Sequence, residues 1–222
     1  MQNSDPQPPT TPLVITIGRQ FGSGGRQLGR LIADRLGISY YDKELLSRAA
    51  KDAGVAQSFV EENDEKMPNF LSSVLSFNMG MSASSWYQGP SSISGDRIYN
   101  AQGDVIRRLA EQQSCVIVGR TADYILRDHP CVINVFVYAP IDNCVERIVG
   151  RTPELSRSKA RSMAEKTNKL RSAYYNFYTD RRWGHPDSYH LMIDTSLLPM
   201  EDIADIVVEY ARRRFASLDK KQ

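Results

Sequence analysis

Gly18, Gly22, Gly24 and Gly25 crowd the stretch "ITIGRQFGSGGRQLG" (Ile15–Gly29), with Ser23 between two of them and Arg26 directly behind. An apolar strand, a glycine-rich turn and a helix in that order gather backbone N–H groups and a helix N-terminus around one point, which makes an anion site. Two ligand classes compete for it. A dinucleotide loop needs G-x-G-x-x-G and an acid about 20 residues further on. Gly22 and Gly24 supply the first half and Asp42 the acid, but Gln27 takes the place of the third glycine and Gly29 comes two residues late. A triphosphate-binding loop reads G-x-x-x-x-G-K-[ST], its lysine reaching the β- and γ-phosphates. Laid over that pattern, "GSGGR" (Gly22–Arg26) puts Gly25 on the lysine and leaves Gly18 one residue further upstream than usual. Glycine spacing leaves both classes open.

The elements that must position this loop alternate strand with helix. "LVITI" (Leu13–Ile17) is β-branched and apolar, the pattern of a strand buried on both faces. Leu28, Leu31, Ile32 and Leu36 recur at helical spacing from Gly25, and Gly37 closes that run as a C-cap glycine. "ISYY" (Ile38–Tyr41) is a second strand ending at Asp42, with a helix from Lys43 to about Lys51. A helix is expected over 96–112. Strands follow at Cys115–Gly119, Cys131–Ala139 and Tyr189–Asp194. Helices are expected at Ile141–Arg151, Ser156–Tyr178 and along "PMEDIADIVVEYARRRF". This alternation implies a parallel α/β sheet with right-handed crossovers. Residues 54–95 break the pattern: "MPNFLSSVLSFNMGMSASSWYQGPSSISG" is rich in Ser, Gly, Met and aromatics and has no steady period. A stretch of that length is either a surface insertion or a binding element.

Bulk properties set the bounds. The 222 residues are 41% hydrophobic and 24% charged, ordinary for a soluble globular chain. A net charge of +2 argues against a general nucleic-acid partner. Cys115, Cys131 and Cys144 lack metal-ligand spacing and cannot all pair, as in a reducing compartment. No apolar run reaches the ~18 residues of a membrane span. The first twelve residues read as a disordered tail, so a soluble cytoplasmic protein is expected.

Several segments together resemble the cytidylate kinase-like family of P-loop proteins: the loop with its flanks through "YYDKELL", then "FVEENDEK", "VIVGRTADYIL", "KLRSAYYNFYTDRRWG" and "YHLMIDTS". In that family "FGSGGR" is the normal loop, so the absent lysine is a shared trait. The resemblance implies a five-stranded parallel core (13–53, 96–150 and 189–218) of the P-loop type, flanked by helices. It also implies a monophosphate-binding insertion at 54–95 and a helical lid at 151–188. The implied activity is transfer of the γ-phosphate of ATP, with Mg2+, to a nucleoside monophosphate such as CMP. The partners are then small-molecule nucleotides, without nucleic acid or membrane.

Phosphoryl transfer needs in-line positioning and neutralised charge more than covalent help. Gly22, Ser23, Gly24, Gly25 and Arg26 are the candidate ATP-phosphate site, with Arg26 standing in for the lysine. Ser23 is the one hydroxyl in the loop and so the candidate metal contact, although it is displaced from the usual position. Asp42 is expected either at the acceptor or as the N-cap of the next helix. Arg120, in a Gly-Arg pair at the end of a buried strand, matches the arginine that holds the monophosphate in the family, and Arg97 is a further acceptor candidate. From Arg147 to Arg182 ten basic residues face three acids, a net +7. This suits a lid facing polyphosphate, with Arg147, Arg151, Lys166, Lys169 and Arg171 as its contacts. Arg26, Arg120 and Arg171 are the candidate catalytic cations. The family often has an acid where this chain reads Thr167-Asn168-Lys169. Two other readings stand beside the kinase: a nucleotide-binding regulatory protein without phosphotransfer, and a dinucleotide-dependent enzyme. The basic segment and the missing third glycine weigh against the last.

Overall fold

The computed structural model describes residues 11–46 and 93–219. The chain divides into two compact units, one of residues up to 43 together with those from 107 onward, the other of residues 44–106. The first unit holds a five-stranded sheet whose strands are β1 (Val14–Arg19), β2 (Ser39–Tyr41), β3 (Cys115–Val118), β4 (Val132–Tyr138) and β5 (Leu191–Asp194). Every pairing is parallel, in the order β2-β3-β1-β4-β5. In dinucleotide-binding folds the first strand lies beside the second. Here β3 comes between them, which removes the topological basis for the dinucleotide reading.

Val14, Ile15 and Ile17 of β1, all of β3, and all of β4 but Tyr138 are buried, as expected where helices cover both faces of a parallel sheet. On one face α1 (Gly25–Leu36) and α6 (Met200–Asp219) pack through Leu28, Ile32, Ile203, Val207 and Val208. On the other, α4 (Ile141–Arg151) and α5 (Arg157–Thr179) enclose Val145, Ile148, Ala160 and Ala164, and the loop residue Phe21 joins them. The other helices among the described residues are α2 (Ile93–Gln112) and the single turn α3 (Ala122–Ile125), and residues 43–46 open the helix expected after Asp42, the rest of which lies outside the described residues. No described helix is long and apolar enough to cross a membrane.

The bounds of α1 and α4 coincide with those read from periodicity. Gly37 caps α1 in the left-handed region at φ 64°, its N–H reaching the Ala33 and Asp34 carbonyls. Ser156 caps α5 by accepting the Lys159 amide. The last strand is shorter than expected. Pro186–Ser188 form a 3-10 turn, and the Tyr189 ring packs tilted against Phe136 with ring centres 4.9 Å apart before pairing begins at Leu191. The expected insertion falls outside the described residues from 54 to 92, and 93–95 open α2.

Candidate phosphate site

The loop between β1 and α1 has its shape set by two glycines. Gly22 and Gly24 adopt φ of 82° and 87°, the region that favours a residue without Cβ. Gly24 is the N-cap of α1 and its carbonyl accepts the first helical bond, from Leu28. The first turn of α1 therefore points its N–H groups out over the C-terminal edge of the sheet, where the helix dipole favours an anion. Ser23 is fully buried and its hydroxyl donates to the Gln20 carbonyl at 2.9 Å. It shapes the loop from inside, which is not the orientation of a metal contact. Beneath the loop, the Thr195 hydroxyl after β5 donates to the Ser23 carbonyl at 2.7 Å and accepts from Arg147 at 3.0 Å. Arg147, expected in the lid, is thus a support of the loop on α4.

From above, α5 grips the loop. Asn168 accepts the Phe21 amide at 2.7 Å, and Arg171, one turn on, donates to the Arg19 carbonyl at 3.0 Å while lying over the Phe21 ring. The Thr167-Asn168-Lys169 departure from the acidic family pattern places an amide oxygen on the loop. Lys166 and Lys169 share a different, exposed face of α5, and Arg151 is exposed at the end of α4. Arg157 and Arg161 pair with Glu146 and Asp142 of α4. Those two acids precede the window that gave the +7 excess, so part of the basic surplus on this helix is neutralised across the α4–α5 contact.

Arg120 follows β3 at the ligand edge, in a run of three left-handed residues: Gly119 (φ 81°), Arg120 (φ 61°) and Thr121 (φ 52°). Two non-glycine residues in that region cost of order 1–3 kcal/mol each, an outlay that concentrates at functional sites. Arg120 is held below the ordinary arginine pKa by burial, with Tyr174 acting in the opposite sense. Asp42 lies buried just beyond β2. Arg26 and Arg30 each come to 3.9 Å of its Oδ2, and the Tyr40 hydroxyl to 3.4 Å. Arg97 lies on α2, and its side chain is outside the described residues.

One functional candidate escaped the sequence reading. Arg19 ends β1 and its side chain crosses the loop. Its Cβ and Cγ lie 2.7 and 2.9 Å from where a Gly25 Cβ would stand, and its guanidinium covers Gly119. Its pKa is pulled well down, first by burial and then by Arg171, Arg120 and Arg26. Arg171 is in turn pulled down to about 10 by burial and by Arg26. A guanidinium keeps its proton in a protein, so these shifts register first the cost of desolvating Arg19 and Arg171 and then repulsion from the neighbouring guanidiniums, both of which a bound anion relieves. The only signal in the sequence was a basic residue at the mouth of the glycine loop.

Among the described residues no cluster of three or more His, Cys, Asp or Glu could hold a metal. His129 and His190 accept backbone amides, and His185 pairs with Asp187, which gives all three structural contacts.

A sequence model of the cytidylate kinase-like family matches residues 14–197. No curated protein matches. Among solved structures, a protein of Eubacterium ventriosum described as uncharacterized is 27% identical, with TM-score 0.66 over 90% of this chain and 98% of its own. A gluconokinase from Sinorhizobium meliloti is 15% identical, with TM-score 0.57 over 96% of this chain and 98% of its own. A shikimate kinase from Acinetobacter baumannii, also 15% identical, gives 0.50 over 92% and 95%. At that identity the two kinases speak for the fold.

Proposed function

We propose that this chain, which belongs to the cytidylate kinase-like family, transfers the γ-phosphate of ATP to a nucleoside monophosphate, with CMP the favoured acceptor. The observation that carries the reading is the gathering of arginines at a glycine loop and helix N-terminus: the Arg19 stem lies against Gly25 and its guanidinium over Gly119, the residue before Arg120, Arg171 donates to the Arg19 carbonyl, and Arg26 stands in the first turn of α1. Partly buried cations gathered at one edge of the sheet favour anionic ligands, because a bound phosphate offsets both their desolvation and their repulsion. Two phosphorylated substrates meeting head-on supply that charge from both sides, whereas with a neutral acceptor it would come from the nucleotide alone. The loop amides, Arg26 and Arg171 would hold the phosphates of ATP, and Arg120 with Asp42 would face the acceptor. The acceptor's phosphate oxygen attacks the γ-phosphorus, the bond to the β–γ bridging oxygen breaks, and ADP leaves. The cations neutralise the charge spread over the transferring group. Mg2+ would enter on the nucleotide, since it is commonly bound through substrate phosphates plus one or two carboxylates. Residues 54–95 and 151–188 would serve as acceptor-binding insertion and lid.

A coupled assay of ADP formation tests this with ATP, Mg2+ and a panel of CMP, dCMP, UMP, AMP, GMP, gluconate and shikimate. CMP is expected to give the highest kcat/KM. Turnover of the two hydroxy carboxylates, gluconate and shikimate, without turnover of any nucleotide would overturn the acceptor class. The glycine at the lysine position and the buried Ser23 hydroxyl favour a second reading, nucleotide binding without transfer. ATP-dependent thermal stabilisation with no turnover of any acceptor is its signature.

A further inference from the structure

We propose that Arg19, from the end of β1, is the phosphate-binding cation of this loop and takes the place that a lysine at position 25 holds in the ordinary motif. The inference rests on the ATP reading above and deepens it. In the ordinary motif the lysine leaves the first turn of the helix and bends back over the loop. Here α1 begins at Gly25, and a side chain at that position has no room: its Cβ would meet the Arg19 Cβ at 2.7 Å and Cγ at 2.9 Å. The volume a lysine would fill is filled by the stem of Arg19. Its far end lies over Gly119, so close that a Cβ there would overlap Nη1 and fall 2.6 Å from Cζ. Because β1 and β3 are adjacent and parallel, residues 19 and 119 lie at the same edge of the sheet, the edge where such folds bind ligands.

Two glycines thus frame one arginine. Gly25 makes way for its stem and Gly119 for its head. No carboxylate among the described residues pairs with Arg19, and its charged neighbours are Arg26, Arg120 and Arg171. Arg171 also fixes the base of the side chain by donating to the Arg19 carbonyl. A guanidinium held this way has a fork of donors directed at a site for phosphate oxygens, and its planar geometry allows it to bind two of them at once. The missing lysine is thereby a relocated cation, and the glycine in its place is a steric requirement of the relocation.

The test is calorimetric titration of the full-length protein with ATP and ADP. The variants are Arg19→Met, Arg19→Gly, Gly25→Lys and the double variant Arg19→Gly/Gly25→Lys, each checked for folding by thermal unfolding. Arg19→Met keeps the stem and is expected to lose ATP affinity on the order of tenfold to a hundredfold, as for a charge-assisted contact. Gly25→Lys alone is expected to weaken ATP binding as well, because it drives the Arg19 stem out of position. In the double variant, the lysine enters the vacated space and recovers most of the affinity. A purely structural role for Arg19 predicts no such rescue. ATP affinity unchanged in Arg19→Met, or a double variant no better than Arg19→Gly, overturns the proposal. ATP binding without turnover of any acceptor would sink the transferase reading and leave Arg19 in its role, and a wild-type chain that binds no ATP would overturn both.

Discussion

Replacing Asn168 by leucine tests whether α5 sets the shape of the phosphate loop. The side-chain oxygen of Asn168 accepts the Phe21 amide at 2.7 Å. Leucine matches its size and removes that acceptor. A buried amide left without a partner costs about 1–3 kcal/mol. This one is partly buried, so water meets some of the demand and about 1–2 kcal/mol is expected. In a chain of this size each kcal/mol moves the midpoint by about 2–4 °C, so Asn168→Leu is expected to melt about 2–8 °C below wild type. If the lost energy is spent on loop order, ATP affinity falls by up to about 5- to 30-fold. Asn168→Asp is the control. Its carboxylate accepts the same amide and sits one turn from Arg171, so it is expected to keep both stability and affinity. Thermal unfolding with and without ATP, together with titration of the three proteins, gives the readout. Asn168→Leu indistinguishable from wild type in both, or Asn168→Asp as damaged as Asn168→Leu, would refute the account of the grip.

Three further outcomes are expected. Thr195→Val keeps the shape of a fully buried residue but removes the donor to the Ser23 carbonyl and the acceptor for Arg147; a loss of about 1–3 kcal/mol is expected in urea unfolding, with weaker ATP binding. Gly119→Ala combines a strained φ of 81° with a Cβ that collides with the Arg19 guanidinium, so it lowers both stability and ATP affinity, and its effect on affinity is expected to shrink in an Arg19→Met background. Asp123 is buried, its pKa raised chiefly by that burial and partly restored by the 2.6 Å hydrogen bond from Tyr175. Because the folded pKa lies above the unfolded one, Asp123 costs stability increasingly as pH rises from the ordinary carboxylate pKa of about 4 to its raised value, and the cost is full above that. The stability of Asp123→Asn relative to wild type is therefore expected to improve with rising pH across that window, as measured by urea unfolding at a series of pH values; a flat difference would contradict it.

Among the described residues the sequence by itself determined most of the elements and their kind. Leu28, Leu31, Ile32 and Leu36 at helical spacing, closed by Gly37, marked α1, and the unbroken apolar runs of β1, β3 and β4 marked strands buried on both faces. Both are local patterns, because backbone preference and the period of burial are properties of a few neighbouring residues. The glycine loop, Asp42 and Arg120 were legible for the same reason: each sits where a strand ends in a recognisable turn. Only the tertiary structure decided which side chains meet there. Arg19 is an ordinary residue in the sequence, and its direction depends on β3 lying beside β1, a pairing between segments far apart in the chain. Arg147 and Asn168 support the loop through contacts with Thr195 and Phe21 that no spacing encodes. Along the chain the basic run is opposed by three acids, but in space Asp142 and Glu146 of α4 also pair with two of its members, Arg161 and Arg157. Charge counted along a chain ignores the partner helix, whereas Coulomb interaction depends on distance in space.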